Sequence, residues 1–229
     1  MRITKLGHCC LVIEEAGVRI MTDPGAWTPL EVEPRSEPSR PPTGRATLRR
    51  EALDIDFIFI THEHQDHLHV ESLKEVLRNN PKARILTNKG VGKLLEEAAI
   101  QFDLLEHGGA RDCAGIRVEG FGEKHAVIYE SFGQVQNTGY FFQDKFFYPG
   151  DAFYDPGKAV AMLALPVCGP WMKISESIEY AKKLRPKKAF PVHDGMLKIL
   201  GPFHGVPEAM LRRENIDFMP LREGEACEC

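Results

Sequence analysis

The sequence predicts an α+β fold in which two mixed β-sheets pack face to face, with helices on their outer faces. Three observations carry that expectation. The chain runs twice through the same order, strands first and helices later. One run, Asp56-Phe57-Ile58-Phe59-Ile60, is almost continuously apolar, as a strand buried on both faces requires. A length of 229 residues, with 43% hydrophobic and 27% charged side chains, suits one domain (1–229) with a substantial core.

The elements follow in order. Arg2–Leu6, Cys9–Glu14 and Val18–Thr22 are short, rich in β-branched residues and punctuated by Gly7 and Ala16-Gly17, so they read as strands. The stretch from Pro24 to Arg50 changes character, with Pro24, Pro29, Pro34, Pro38, Pro41 and Pro42 and almost no apolar periodicity. It reads as a long irregular loop, either a mobile surface segment or a lid beside a site. Phe57–Ile60 returns to strand. Val70, Leu73 and Leu77 recur at helical spacing and predict a helix over Val70–Arg78. A strand at Arg84–Thr87 and a helix at Lys89–Ala99 close the first half. The second half opens on a meander of Ile116–Glu119, Ala126–Tyr129, Gly139–Gln143 and Lys145–Tyr148. A strand at Ala159–Leu165, a helix at Ser175–Leu184, a strand at Lys188–Val192 and a helix from Pro207 follow.

The formal charge of −4 offers no global attraction to nucleic acid or an anionic membrane. No apolar run is long enough to span a bilayer, and the first residues lack the apolar stretch of a signal peptide, so a cytoplasmic location is expected. Six scattered cysteines, Cys9, Cys10, Cys113, Cys168, Cys227 and Cys229, show no framework spacing and read as reduced thiols. Cys227-Glu228-Cys229 reads as a loose tail.

Four of the nine histidines lie between positions 62 and 69. His62 and His64, two apart at the end of a buried strand, can face the same side. Asp66 and His67 follow where the chain turns toward a helix. A lone histidine is usually a surface or satisfied core residue. Four ligand-type side chains within six positions, directly after an apolar strand, point instead to a metal site. Imidazole with carboxylate suits zinc, iron or manganese rather than calcium.

The segment Thr61-His62-Glu63-His64-Gln65-Asp66-His67 resembles the HxHxDH signature of the metallo-β-lactamase superfamily. Further motifs of that family come in its order: His125 in Glu123-Lys124-His125-Ala126, Asp151 in Pro149-Gly150-Asp151-Ala152, and His193 in Pro191-Val192-His193-Asp194. Asp23, in Thr22-Asp23-Pro24, matches an early aspartate with a structural role. The resemblance implies a four-layer αββα sandwich and a two-metal centre. His62, His64 and His125 would bind one ion and Asp66, His67 and His193 the other, with Asp151 bridging. Two divalent cations, zinc foremost and manganese or iron as alternatives, would share a water and lower its pKa toward neutrality, giving a hydroxide nucleophile. Asp66 and Asp151 are therefore the expected catalytic carboxylates.

Chain length and the early Gly7-His8-Cys9 look most like the compact lactonase-like branch, which includes L-ascorbate-6-phosphate lactonase and, more distantly, phospholipase D acting on N-acyl phosphatidylethanolamines. That resemblance implies hydrolysis of an ester, lactone or phosphodiester in a small anionic substrate. His8 and Tyr154 are expected to contact it. The loop holding Arg35, Arg40, Arg45, Arg49 and Arg50 against a single acid, Glu37, offers guanidinium groups for its charge, with Arg45 and Arg49 as the test positions. Two other readings stay open: a phosphodiesterase or nuclease acting on nucleotides or RNA, and a metal-bound binding module without catalysis. His69 is assigned to a supporting or surface place, and His107 and His204 to the surface or the framework.

Overall fold

A computed structural model describes residues 1–28, 31–32, 47–48 and 50–229. The first half contributes β1 (Arg2–Gly7), β2 (Cys10–Glu15), β3 (Val18–Thr22), β4 (Glu31–Val32), β5 (Thr47–Leu48), β6 (Phe57–Ile60), α1 (Val70–Asn79), β7 (Arg84–Thr87), α2 (Lys89–Glu97) and β8 (Asp103–Leu104). The second contributes β9 (Ala110–Cys113), β10 (Ile116–Phe121), β11 (Gly139–Phe142), β12 (Phe146–Tyr148), β13 (Met162–Pro166), α3 (Ile174–Leu184), β14 (Lys188–Val192), α4 (Gly201–Arg212), β15 (Asp217–Phe218) and β16 (Ala226–Glu228).

Two seven-stranded sheets result, ordered β16-β1-β2-β3-β6-β7-β8 and β15-β14-β13-β12-β11-β10-β9. Each is mixed: antiparallel strands on one side, parallel strands on the other, most of the latter joined through helices. The period-two alternation of side chains sorts them into layers. Cys9, Leu11, Ile13, Phe57 and Phe59 enter the core between the sheets, where they meet Tyr140, Phe142, Phe146 and Phe190. Their neighbours Cys10, Val12, Ile58 and Ile60 face the other way, onto Leu73 and Val76 of α1 and Val91 and Leu95 of α2. Phe141, Phe147, Leu163 and Leu165 do the same beneath α3 and α4. This is the expected helix–sheet–sheet–helix stack, and it explains why β6 is apolar at every position.

The structure corrects four readings. Ala126–Tyr129 is not a strand: its β-branched residues suggested one, but Ala126 N–H is taken by the Asp151 carbonyl, and Val127 and Tyr129 are exposed. The last helix begins at Gly201, where Pro202 fills the first turn and Pro207 lies inside. The cysteine tail is β16, paired with β1 through Ile3 and Cys227, with the Cys227 thiol buried against Met162. Within the Pro24–Arg50 stretch, β4 and β5 pair as a short ladder and Pro24–Thr28 packs on the histidine segment, so part of it is built into the fold. Arg35, Arg40, Arg45 and Arg49, and with them the expected lid, lie outside the described residues. No helix among the described residues is long and apolar enough to cross a membrane.

Candidate metal centre

The histidines and carboxylates collect at the carboxyl ends of strands from both sheets, where an open α/β edge leaves room for a ligand. β6 runs into Thr61-His62, β3 into Asp23, β12 into Asp151 and β14 into His193. His125 arrives on the loop between β10 and β11, whose two ends are pinned together by His125 N–H to the Val135 carbonyl and Gln134 Nε2 to the His125 carbonyl.

Two glycines make this convergence possible. A Cβ on Gly25 would lie 1.8 Å from the Asp66 carbonyl oxygen, so only glycine lets the chain after Asp23 cross the back of the histidine segment. Ala26 N–H then donates to the Gln65 carbonyl at 2.9 Å. Gly150 has φ +64°, and a Cβ there would meet Asn137 Oδ1 at 2.4 Å. That same Asn137 oxygen accepts the Asp151 N–H, which fixes the carboxylate's direction.

His62, His64 and His125 form one cluster, with one ligand atom from each within 4.8 Å of the others. Asp66, His67, Asp151 and His193 form a second on the same criterion. Asp151 stands between them: its Oδ2 is 2.8 Å from His193 Nε2 and 3.3 Å from His125 Nε2, and its Oδ1 is 3.2 Å from His67 Nε2. The structure thus brings together all seven side chains that the resemblance named as ligands.

Orienting partners sit behind them, as ligating imidazoles require. His67 Nδ1–H donates to Asp23 Oδ2 at 2.7 Å, and His125 Nδ1–H to the Ala126 carbonyl at 2.5 Å, which turns each Nε2 into the cluster. Asp23 is itself fixed by Thr61 N–H, Thr61 Oγ1 and the Tyr148 hydroxyl, and is fully buried.

Seven buried side-chain nitrogen and oxygen atoms among the described residues lack a hydrogen-bond partner, and six belong to this cluster. They are Nε2 of His62, His67 and His125, both ring nitrogens of His193, and Asp151 Oδ1. Each such atom costs about 1–3 kcal/mol unless something satisfies it. Divalent cations are what a set of inward-facing imidazole nitrogens and carboxylate oxygens fits.

Charge is divided accordingly. Burial, aided by the neighbouring imidazoles, drives His62 and His64 toward the neutral form. Burial opposes charge on His67 and His193 too, but Cys9 and Asp151 outweigh it, and both are held well above the usual histidine range. Asp66 and Asp151 are kept ionised despite burial, Asp66 through His193 and His8, Asp151 through His193 and His67. Cys9 and Asp151 therefore favour a second proton on the His67 and His193 rings, which a bound cation would displace.

The remaining expected positions lie as follows in the fold. His8, expected from the resemblance to contact the substrate, is buried next to Asp66 and contributes to the wall of a cavity with Trp27 and Leu197. Gly195 N–H donates to its Nδ1 at 3.1 Å, so the proton sits on Nε2 and is donated to Asp66 Oδ2, also at 3.1 Å. The Tyr154 ring, half-buried, packs on His107 and Phe121. His69 caps α1 through Ser72. His204 is buried, with Nε2 2.9 Å from Asp194 Oδ2, and Asp194 also takes the Lys5 ammonium at 2.6 Å.

Sequence reasoning missed Trp171, whose indole N–H donates to Asp151 Oδ2 at 2.8 Å. It comes from the loop after β13, and no motif marks it. Cys9 was read only as a reduced thiol, yet its sulfur shares a 4.8 Å neighbourhood with ring nitrogens of His8, His67 and His193.

A family model described as the beta-lactamase superfamily domain matches residues 2–193. Protein Rv0786c of Mycobacterium tuberculosis is 31% identical over 202 residues, covering 86% of this chain and 85% of its own. A UPF0173 metal-dependent hydrolase of Aeropyrum pernix is 26% identical over 260 residues, covering 99% and 97%. Among solved structures, the metallo-beta-lactamase fold protein YhfI from Bacillus subtilis superposes with a TM-score of 0.71 at 9% identity, over 99% of this chain and 98% of that one. The chain belongs to the beta-lactamase superfamily and has the metallo-β-lactamase fold.

Proposed function

From membership of that superfamily, we propose that the protein is a metal-dependent hydrolase that cleaves an ester, lactone or phosphodiester bond of a small molecule. The observation that carries the reading is the clustering of seven ligand-type side chains in two adjoining groups, every one but Asp66 and His64 contributing a buried atom without a hydrogen-bond partner. His62, His64 and His125 would hold one divalent ion and Asp66, His67 and His193 a second, with Asp151 shared. Bound there, two such ions, zinc foremost, would supply water ionised near neutral pH and a Lewis-acid pull on the scissile bond.

The chain's own groups divide the remaining work. Asp151, with a side chain 3% exposed, is locked by Trp171 and Asn137 and serves as a fixed bridge. Asp66 is 14% exposed and is the one carboxylate of the pair open enough to meet a reacting molecule. Held in the ionised form, it can accept the nucleophile's proton and pass it to the leaving oxygen. His8 holds Asp66 Oδ2 by its Nε2–H, which fixes the carboxylate's rotation while its other oxygen works. The UPF0173 relative, called a metal-dependent hydrolase, supports the reaction type.

The test is metal analysis of purified protein, followed by an ester, lactone, phosphodiester and RNA panel with zinc and with manganese. Two ions per chain with turnover that Asp151→Ala abolishes, at unchanged far-UV circular dichroism, is the expected result. RNA cleavage alone would move the protein to the nuclease reading, and stoichiometric metal without any turnover to the binding-module reading.

A further inference from the structure

We infer that the substrate carries an apolar chain or ring, which lies on the rim of the metal centre; this rests on the hydrolase reading above. Eight large hydrophobic side chains stand exposed among the described residues: Trp27, Leu104, Val127, Tyr129, Phe132, Met196, Ile199 and Val206. All but Leu104 lie on three segments that spring directly from the centre. Scattered exposed hydrophobics are normal; their concentration around one site is not.

The first segment is Ala26–Thr28. Its backbone is bonded to Gln65, and the Trp27 ring, 47% exposed, stands edge-on to His8 at 4.9 Å. The second is the loop from His125 to Gln134, closed at its base by the bonds to His125 and tipped by Val127, Tyr129 and Phe132, the last 76% exposed. Asp151 is fastened to this loop as well, through Ala126 N–H. The third follows His193 and carries Met196, Ile199 and, in α4, Val206. Nothing in folding calls for apolar tips on loops whose bases hold catalytic side chains, and their exposure carries a cost in water.

Charge points the same way. From Ala126 to Gln134 the one ionisable acid or base is Glu130, apart from the phenol of Tyr129; from Gly195 to Gly205 it is Lys198, with His204 already paired to Asp194. Between Trp27 and the third segment a cavity of about 210 Å³ opens beside His8, with Leu197 and Leu200 in its wall. Of its charged wall groups, Lys5 and Asp194 are satisfied by each other, while Arg222 and Glu223 stand exposed on the side of the cavity that Gly7 lines, away from the apolar segments. The rim therefore favours the aliphatic or aromatic part of a substrate whose scissile group reaches the metals.

The experiment measures binding of n-alkylphosphonates, from ethyl to decyl, to the zinc-loaded protein by calorimetry. Kd is expected to fall about two- to fourfold for each methylene the rim covers. Phe132→Ser and Ile199→Ser, both on exposed side chains outside the metal centre, should flatten that dependence and leave ethylphosphonate binding and zinc content unchanged. Phosphonates that bind with no chain-length dependence would overturn the inference and spare the metal-centre reading. Failure of every phosphonate to bind, with no zinc taken up, would overturn both. Co-sedimentation with phosphatidylcholine vesicles, or a rim-dependent dimer in light scattering, in the absence of a chain-length effect would hand the surface to a membrane or a second copy and refute the substrate assignment.

Discussion

Trp171→Phe isolates one hydrogen bond. The phenyl ring retains most of the packing against Phe153, His125 and His193, and only the indole N–H to Asp151 Oδ2 is lost. That bond is 2.8 Å long and ends on a carboxylate in a side chain 3% exposed, where water cannot substitute. A hydrogen bond to a charged group of this kind contributes about 1.5–3 kcal/mol. With each 1.4 kcal/mol worth about tenfold, metal affinity should fall roughly 10–100-fold, the range in which outer groups act on metal ligands. Competition for zinc against a calibrated chelator reads the loss directly, without any substrate. Circular dichroism and the melting temperature of metal-stripped protein check that the fold survives. If zinc affinity is unchanged, Trp171 does not orient Asp151 and the shared-carboxylate arrangement loses its support.

Further outcomes follow from other parts of the structure. Asp194→Ala strands the Lys5 ammonium, 2% exposed and otherwise bonded only to the Pro191 and Leu221 carbonyls. Removing one partner of a buried pair costs about 3–5 kcal/mol, or roughly 6–20 °C in Tm for a chain of this size, whereas Lys5→Met with Asp194→Leu should recover part of it by calorimetry. Burial pushes the Asp194 carboxyl up, but His204 and Lys5 together hold it below its usual range. Its contribution is thus complete above the unfolded pKa of about 4 and disappears as pH falls below it, which an acid denaturation series on Asp194→Asn checks. Zinc binding must displace the protons that Cys9 and the carboxylates hold on His67 and His193, so affinity should weaken as pH falls through neutrality; a pH-independent zinc titration would refute the assigned charges. Arg45→Ala and Arg49→Ala should raise KM for an anionic substrate, and unchanged kinetics would remove the arginine loop from the site.

Most strands and helices were legible because their signals are local. β6 announced itself by an unbroken apolar run, and β3, β7 and β14 match the predicted bounds because their apolar runs end at Asp23, Asn88 and His193. The seven clustered side chains that could hold metal were legible through their order along the chain, since strand ends in this fold deliver them to one edge. Elements made by tertiary pairing alone were not. β16 exists because β1 offers an open edge to Ala226–Glu228, and no pattern in a three-residue strand says so. The supporting groups were the least legible: Trp171, His8 and Asp194 act through partners 20, 58 and 189 positions away in sequence.

That distance has a structural reason. The centre lies on the seam between two sheets, so the partners that orient Asp66, His67 and Asp151 come from elements remote in sequence, while His62 and His125 use adjacent residues. His193 is tied to His8, its N–H donating to the His8 carbonyl at 3.1 Å, while His8 in turn holds Asp66. Asp23, His8 and His193 adopt positive φ, at 36°, 39° and 61°, conformations that L side chains avoid. Such strain persists only where surrounding bonds over-determine the backbone. Here they do: Asp23 receives bonds from Thr61, His67 and Tyr148, His8 from Gly195, and the segment after His193 is anchored by the Lys5–Asp194–His204 chain. The strained residues thus mark where each sheet is bent into the centre, and the buried charge chain keeps the third wall of that centre in place.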